Sequence, residues 1–298
     1  MKALGCRLNA AVCCRVHQRK RKSPAGDHYV EALGARVRVR DVGSGPLAVV
    51  FVPDPPNVLE HHEAAFEALA RHVRVVGLEL PGFGFSSAPS RFRFSVAENR
   101  DIVLAVLDAL GVERAVLALS CVAGLASVAA AVRRPELVAG VVGVQTPDLP
   151  GALAWAARVD PNGLLRTPLI GQLAVRLRRR PLAGVWYRAA TGDRSHIETL
   201  EREALRAYDN GAVYALASGL QSLSDIDPEA LFGTLESLPA AAIWGGKDRT
   251  HRRTDRRGLA RYLPRLEVRE IEEAGHFPDL ERPEAFQDQL LRWMDRSL

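Results

Sequence analysis

The sequence predicts an α/β fold: a mostly parallel central sheet flanked by helices and interrupted by an inserted helical block. Three observations carry this reading. The runs LAVVFVP, VRVVGLEL, RAVLAL and AGVVGVQ are continuously apolar rather than alternating, as strands buried on both faces are. Helical stretches separate them at a spacing that suits strand–helix–strand crossovers. The alternation then stops between residues 147 and 235, where helical stretches occur without a buried-strand run.

In chain order, VEALGARVRVRDVG alternates with period two and reads as a strand pair or hairpin. LAVVFVP is the first buried strand, HHEAAFEALARH a helix and VRVVGLEL the second buried strand. SVAENRDIVLAVLDALG is a long amphipathic helix, with Ser95 as its N-cap and Gly111 closing it. RAVLAL runs through a tight corner into the helix GLASVAAAVRR, and the strand AGVVGVQ follows. The inserted block holds LAWAAR, LIGQLAVRLRR and REALRAYDNGAVYALASGL. AAAIWG resumes the sheet, followed by a helix, the strand LEVREIE and a last helix, EAFQDQLLRWM. The chain thus divides into a tail (1–28), a core (29–146 and 236–298) and a helical lid (147–235). The lid is expected over the carboxyl edge of the sheet, where open α/β folds bind ligands.

Of the 298 residues, 47% are hydrophobic and 25% charged, the balance of an ordinary globular protein. No apolar run approaches the roughly 20 residues of a membrane-spanning helix, so no membrane partner is expected. The net charge of +5 is concentrated in Met1–Pro24, which has seven basic residues and no acidic one. That stretch is expected to be a disordered leader. Nucleic-acid binding would rest on its HQRKRK run alone and is not expected. It makes a poor secretory signal: Arg7 interrupts a short apolar stretch and no A-x-A site closes it. Cys6, Cys13 and Cys14 lie in the tail, leaving Cys121 as the body's only cysteine. No internal disulfide can form there, which fits a reducing, cytoplasmic setting.

The corner VLALSCVAGLAS places two candidate nucleophiles, Ser120 and Cys121, side by side. A hydroxyl or thiol becomes reactive when a base takes its proton and a carboxylate orients that base. Four landmarks show where such partners lie: ELPGFGFSS, the corner with RRPELV after it, WGGKD, and AGHFPDLERPEAF. With the element order, they resemble the lidded subgroup of the α/β-hydrolase fold, which includes haloalkane dehalogenases, epoxide hydrolases and many esterases. The resemblance runs from about Val30 to the end of the chain.

It implies the order nucleophile, acid, histidine. Asp248 then takes the acid position and His276 the base position. Asp148, just past AGVVGVQ, is the alternative acid, because some lidded members place theirs there. The Pro135–Glu136 pair lies fourteen residues past Cys121, the separation usual between nucleophile and helix end in the subgroup. The resemblance therefore puts Cys121 on the nucleophile position, as in dienelactone hydrolases, and Gly124 on the second glycine of the S-x-G-G pattern. Ser120 falls in the preceding slot, with its side chain expected to point elsewhere. A helix N-terminus and a nearby imidazolium are expected to lower the thiol pKa.

Two departures from the family pattern matter. Leu119 and Ala123 replace the glycines of G-x-S-x-G. More seriously, the His-Gly-X-Pro loop of relatives reads PDPP here, so the oxyanion-holding position falls on Pro55, which has no N–H. The second donor, the N–H of Val122, remains; the loop could bend to offer the N–H or side-chain amide of Asn57 for the first, the substrate could need less oxyanion help, or the protein could no longer perform acyl transfer. Losing one donor typically costs about 100- to 1,000-fold in rate, which favours an activated thioester or strained lactone.

The adjacent His61 and His62 point in different directions on a helix and are expected on a solvated surface rather than at a metal. Arg176–Arg180 reads as a solvated helix face, the alternative being a contact for a coenzyme A or carrier-protein thioester. Trp155, Trp186, Tyr187, Tyr208 and Tyr214 suit an apolar pocket. The expected activity is that of a hydrolase or acyltransferase. Its substrate would be an apolar ester, lactone or thioester, handled through Cys121, His276 and Asp248 with no metal or organic cofactor. The alternative is a non-hydrolytic relative: a lyase, isomerase or cyclase, or a ligand-binding protein.

Overall fold

The computed structural model describes residues 27–298, so the readings made on the basic stretch before Asp27 and its three cysteines lie outside the described residues. The first strand, β1 (Asp27–Ala32), begins two residues inside the stretch assigned to the tail. The reason is electrostatic: the Asp27 carboxylate pairs with the buried guanidinium groups of Arg38 and Arg40 on β2 (Ala35–Val42). Leu33 and Gly34 join the two strands with φ of 50° and 80°, the positive values that a two-residue hairpin turn needs.

The remaining strands are β3 (Ala48–Val52), β4 (Arg74–Leu78), β5 (Ala115–Leu119), β6 (Val138–Val144), β7 (Ala240–Gly245) and β8 (Leu266–Ile271). They form one eight-stranded sheet in the order β1-β2-β4-β3-β5-β6-β7-β8. Pairing is antiparallel from β1 to β4 and parallel from β4 to β8. Every residue of β3, β5 and β7 is buried, which explains the unbroken apolar runs. Successive side chains enter opposite cores. Val50 and Val52 face one core, with Ile102 and Val128. Val49 and Phe51 face the other, with Phe66, Phe286 and Trp293.

The helices of the core are α1 (Glu63–Leu69), α2 (Val96–Ala109) and α3 (Gly124–Arg133). Ser95 caps α2 reciprocally with Glu98, and Gly111 follows the helix with φ of 63°. After β6 come α4 (Leu149–Val159), α5 (Ile170–Ala190), α6 (Ile197–Ala207), α7 (Val213–Ser222) and α8 (Pro228–Leu231), with no strand among them. The chain ends in α9 (Pro278–Glu281) and α10 (Pro283–Ser297). α5 is kinked at Arg178 (φ −111°, ψ 16°), three residues before Pro181, which cannot donate to the helix ladder. Among the described residues, no helix is long and apolar enough to cross a membrane.

One expectation fails. The helix expected between β7 and β8 is only a 3₁₀ turn, Gly258–Arg261. The connecting stretch GGKDRTHRRTDRRG has no apolar side chain to lay on the sheet. Its Asp and Thr side chains bond locally instead, as Asp248 does to Thr250. That irregular loop is free to carry chemistry.

The corner after β5 is tightly packed. A Cβ on Gly124 would lie 2.2 Å from Thr146 Oγ1, and that hydroxyl is fixed by bonds to the carbonyls of Leu119 and Val144. Gly124→Ala is therefore expected to cost about 1–3 kcal/mol in urea unfolding. Adding Thr146→Ala to the same chain is expected to recover part of the loss.

Candidate active site

The carboxyl ends of β3, β5, β7 and β8 deliver their following residues to one place. After β3 comes the loop Pro53–Pro56, after β5 the corner, after β7 the Asp248 turn, and after β8 His276. At the corner, Ser120 continues the strand (φ −98°, ψ 146°) and bridges Val144. Cys121 takes the strained conformation with φ of 49°, rare for a residue with a Cβ. The thiol is buried and lines a cleft in which Ser120 has no part.

His276 is fully enclosed. Its Nδ1 lies 2.7 Å from Asp248 Oδ2 and its Nε2 3.0 Å from Asp54 Oδ2. The Asp248 carboxylate is saturated: it also accepts from Gln145 Nε2 at 2.5 Å and from the Thr250 N–H and hydroxyl at 2.7 and 2.8 Å. Gln145 is itself anchored, accepting from Gly245 N at 2.7 Å. A second imidazole, His251, places Nε2 3.9 Å from Cys121 Sγ while its Nδ1 meets Thr254 Oγ1 at 2.9 Å. His251 lies between the Trp155 ring, nearly parallel at 5.6 Å, and His276 at 5.1 Å. One donor atom each from Cys121, His251 and His276 lies within 4.8 Å of the others.

Several expectations are corrected here. The Asn57 backbone does not replace the missing oxyanion donor: its N–H closes a turn onto Asp54 O at 2.8 Å, while its Oδ1 accepts from Tyr187 at 2.9 Å. Pro55 lines the cleft without a donor. The carboxylates bonded to His276 are Asp248 and Asp54, not Asp148, which caps α4 by accepting from Gly151 N and pairs with Arg261 at 3.1 Å. His61 and His62 are not solvated. His62 is 3% exposed and bonds Asp279 at 3.0 Å, and His61 Nδ1 accepts from the Val58 N–H at 3.1 Å. Both imidazoles fix the start of α1 rather than facing water. Within Arg176–Arg180, Arg178 and Arg180 are exposed and Arg179 bonds Asp209 at 2.9 Å.

Sequence reasoning missed Asp54, His251 and Gln145. Asp54 stood in a slot normally filled by glycine, and His251 in a loop expected to be helical. For His251 the available signal was the wholly polar, His-bearing GGKDRTHRRT run immediately after a buried strand.

The cleft lies between the sheet and the helices of the inserted block. It consists of two adjoining cavities of about 100 and 160 Å³ that share Asp54, Pro55, Trp155, Leu216 and Leu220. Its walls are mostly apolar, with Phe83, Phe94 and Val122 on one side and Leu182, Val185 and Trp186 on the other. The indole N–H groups of Trp155 and Trp186 are buried and have no protein acceptor.

These contacts set the charges. Burial alone would lower the His276 pKa, but the charge and hydrogen bond of Asp248, with Asp54 and Cys121 adding, raise it well above 6.5. Burial works to raise the Asp248 pKa, and the His276 charge overrides it, holding the carboxyl well below its usual range. Burial and the His276 charge push His251 down to about 3, so its ring is neutral. Burial, with the Asp54 charge, pushes the Cys121 thiol up to about 11 despite His276. The thiol at rest is therefore protonated, contrary to the expectation of a lowered pKa.

A strained residue at a strand-to-helix corner, a buried histidine–carboxylate pair and a helical insertion before the last parallel strands define an α/β-hydrolase architecture. Residues 55–283 match the α/β hydrolase fold family, and the chain belongs to it. It is 30% identical over 262 residues to the dihydrolipoyllysine-residue acetyltransferase component of the acetoin cleaving system of Pseudomonas putida, covering 85% of this chain and 64% of that protein. It is 29% identical over 141 residues to a 2-hydroxymuconate semialdehyde hydrolase of the same species, covering 45% of this chain and 50% of the relative. The matched regions thus span about half to just under two thirds of these relatives. Among solved structures, the haloalkane dehalogenase DatA of Agrobacterium tumefaciens superposes with a TM-score of 0.72 at 20% identity, covering 91% of this chain and 97% of that one. The two share the α/β-hydrolase fold.

The lowered His251 pKa sets a pH dependence. Between about 3 and 6.5 the unfolded chain binds a proton at this position that the folded chain refuses. The stability contribution is present above 6.5 and lost as pH falls towards 3. His61, also held near 3 by burial, acts in the same direction. The thermal midpoint is expected to fall between pH 7 and 4, and His251→Gln is expected to remove part of that slope.

Proposed function

We propose that the chain is a hydrolase or acyl-transferring enzyme acting on small apolar esters, lactones or thioesters in the cleft beneath a helical lid. Cys121 acts as nucleophile, His276 as base and Asp248 as the orienting acid. The observation that supports this most is the position of Cys121, strained at φ 49° in the cleft floor within reach of the bonded His276–Asp248 pair. The activities named for the curated relatives, an acetyltransferase component and a semialdehyde hydrolase, accord with carbonyl chemistry.

In the covalent route, His276 Nε2 first gives its proton to the Asp54 carboxylate bonded to it, and the neutral nitrogen then turns to the thiol and takes its proton. Sγ then bonds to the carbonyl carbon, and the C=O electron pair moves onto oxygen. Collapse breaks the bond to the leaving group, which takes the proton from His276 and leaves a thioester on Cys121. A water or acceptor hydroxyl, deprotonated by His276, then releases the acyl group and returns the thiol. With Pro55 unable to donate, the Val122 N–H and the unpartnered indole N–H groups of Trp155 and Trp186 are the donors available to a substrate oxygen. That short supply selects activated carbonyls.

A second reading is favoured by one contact, the Asp54 carboxylate at His276 Nε2. Non-covalent acid–base catalysis of a lyase, isomerase or cyclase reaction would use that pair directly.

The test is intact-mass spectrometry after exposure to acyl thioesters and activated esters. The covalent reading expects a single acyl adduct that is absent in Cys121→Ala and formed about 100-fold more slowly in His276→Ala. No adduct at Cys121 with any donor would overturn it and leave the acid–base reading. Asp54 acts as a brake on the thiol, so Asp54→Asn is expected to speed iodoacetamide alkylation of Cys121 at pH 7. An unchanged rate would remove that role.

A further inference from the structure

The proposed chemistry gives no role to His251, although this buried imidazole faces the Cys121 sulfur. We infer that Cys121, His251 and His276 form a binding site for a thiophilic divalent cation of the zinc class, with the fourth position open to the cleft. An ion there excludes acyl chemistry because it holds the same sulfur.

The geometry carries this in three parts. First, one donor atom each from Cys121, His251 and His276 converges within 4.8 Å in a buried space. Because Nδ1 of His251 is held by Thr254 and Nδ1 of His276 by Asp248, the inward donors are the two Nε2 atoms. His251 Nε2 lies 3.9 Å from Sγ. A tetrahedral zinc with bonds of about 2.0–2.1 Å to nitrogen and about 2.3 Å to sulfur needs its N and S ligands about 3.6 Å apart. A shift of a few tenths of an ångström supplies that. Second, Asp54 Oδ2 stands 3.0 Å from His276 Nε2 and lines the same cleft, so its charge lies beside the three ligands without belonging to their cluster. Third, both imidazoles already have the outer partner that metal-bound histidines have, a carboxylate for one and a hydroxyl for the other. A thiolate and two imidazoles form a mixed soft and borderline set that suits zinc rather than magnesium or calcium. Binding breaks the Cys121 S–H bond and displaces any proton on His276 Nε2; both protons go to solvent.

The experiment uses the full chain with Cys6, Cys13 and Cys14 changed to serine, so that Cys121 is the only thiol. Chelator-treated protein is titrated with Zn²⁺ against a chromophoric indicator and, separately, with Co²⁺. One Zn²⁺ per chain is expected, together with a thiolate-to-cobalt charge-transfer band that Cys121→Ser abolishes. His251→Gln is expected to weaken Zn²⁺ binding at least tenfold, and His72→Gln, on the exposed surface, to leave it unchanged. If His251→Gln fails to fold, Thr254→Val takes its place, with an expected loss of about 10- to 100-fold. Absence of the cobalt band, or Zn²⁺ binding indifferent to His251 and Thr254, would overturn the site. Acylation of Cys121 in the metal-free chain is read separately by mass, so loss of the cation site leaves the covalent reading standing, and the reverse.

Discussion

The imidazole of His276, bonded on both sides by carboxylates, is the interaction on which the rest of the site depends. Asp248 fixes one nitrogen at 2.7 Å and Asp54 the other at 3.0 Å. Two anions around one buried ring hold it as a cation, and the surroundings follow from that. His251 must stay neutral beside it, and Cys121, facing the Asp54 charge in a dry site, keeps its proton. The resting chemistry is thus set by a proton stored on His276 rather than by a preformed thiolate.

The sheet makes this arrangement affordable in geometric terms. Parallel strands β3, β5, β7 and β8 all end at the same edge, so residues far apart in sequence meet without long loops. Close backbone packing holds the edge rigid: a Cβ on Gly245 would fall 1.8 Å from the Gly275 carbonyl. His276 itself is tied by its N–H to Ala190 O at 2.8 Å, which couples the base to the end of α5. A shift of that helix would therefore be felt at the imidazole as well as at Trp186, whose ring meets it edge-on at 5.3 Å.

The fold was legible because buried parallel strands leave an unmistakable apolar run, and AVVFV, AVLAL and AAAIWG all became strands. The positions of Cys121, His276 and Asp248 could be read because turn geometry and motif spacing tie them to those strands. Asp54 could not, because in the family pattern that slot is a glycine and its carboxylate matters only through a ring 222 positions away. His251 and Gln145 were hidden for a similar reason: an irregular loop has no period, and their partners are brought together only in space. The same blindness misplaced Asn57, whose N–H is taken by a turn that the double proline imposes.

The most direct test of the doubly bonded imidazolium is proton and nitrogen-15 NMR of the histidine side chains across pH 6 to 10. His276 is expected to show two protonated ring nitrogens with downfield N–H resonances that persist well above pH 6.5, and to lose the Nε2 signal in Asp54→Asn. A His276 ring that is neutral at pH 7, with a single protonated nitrogen insensitive to Asp54, would contradict the account.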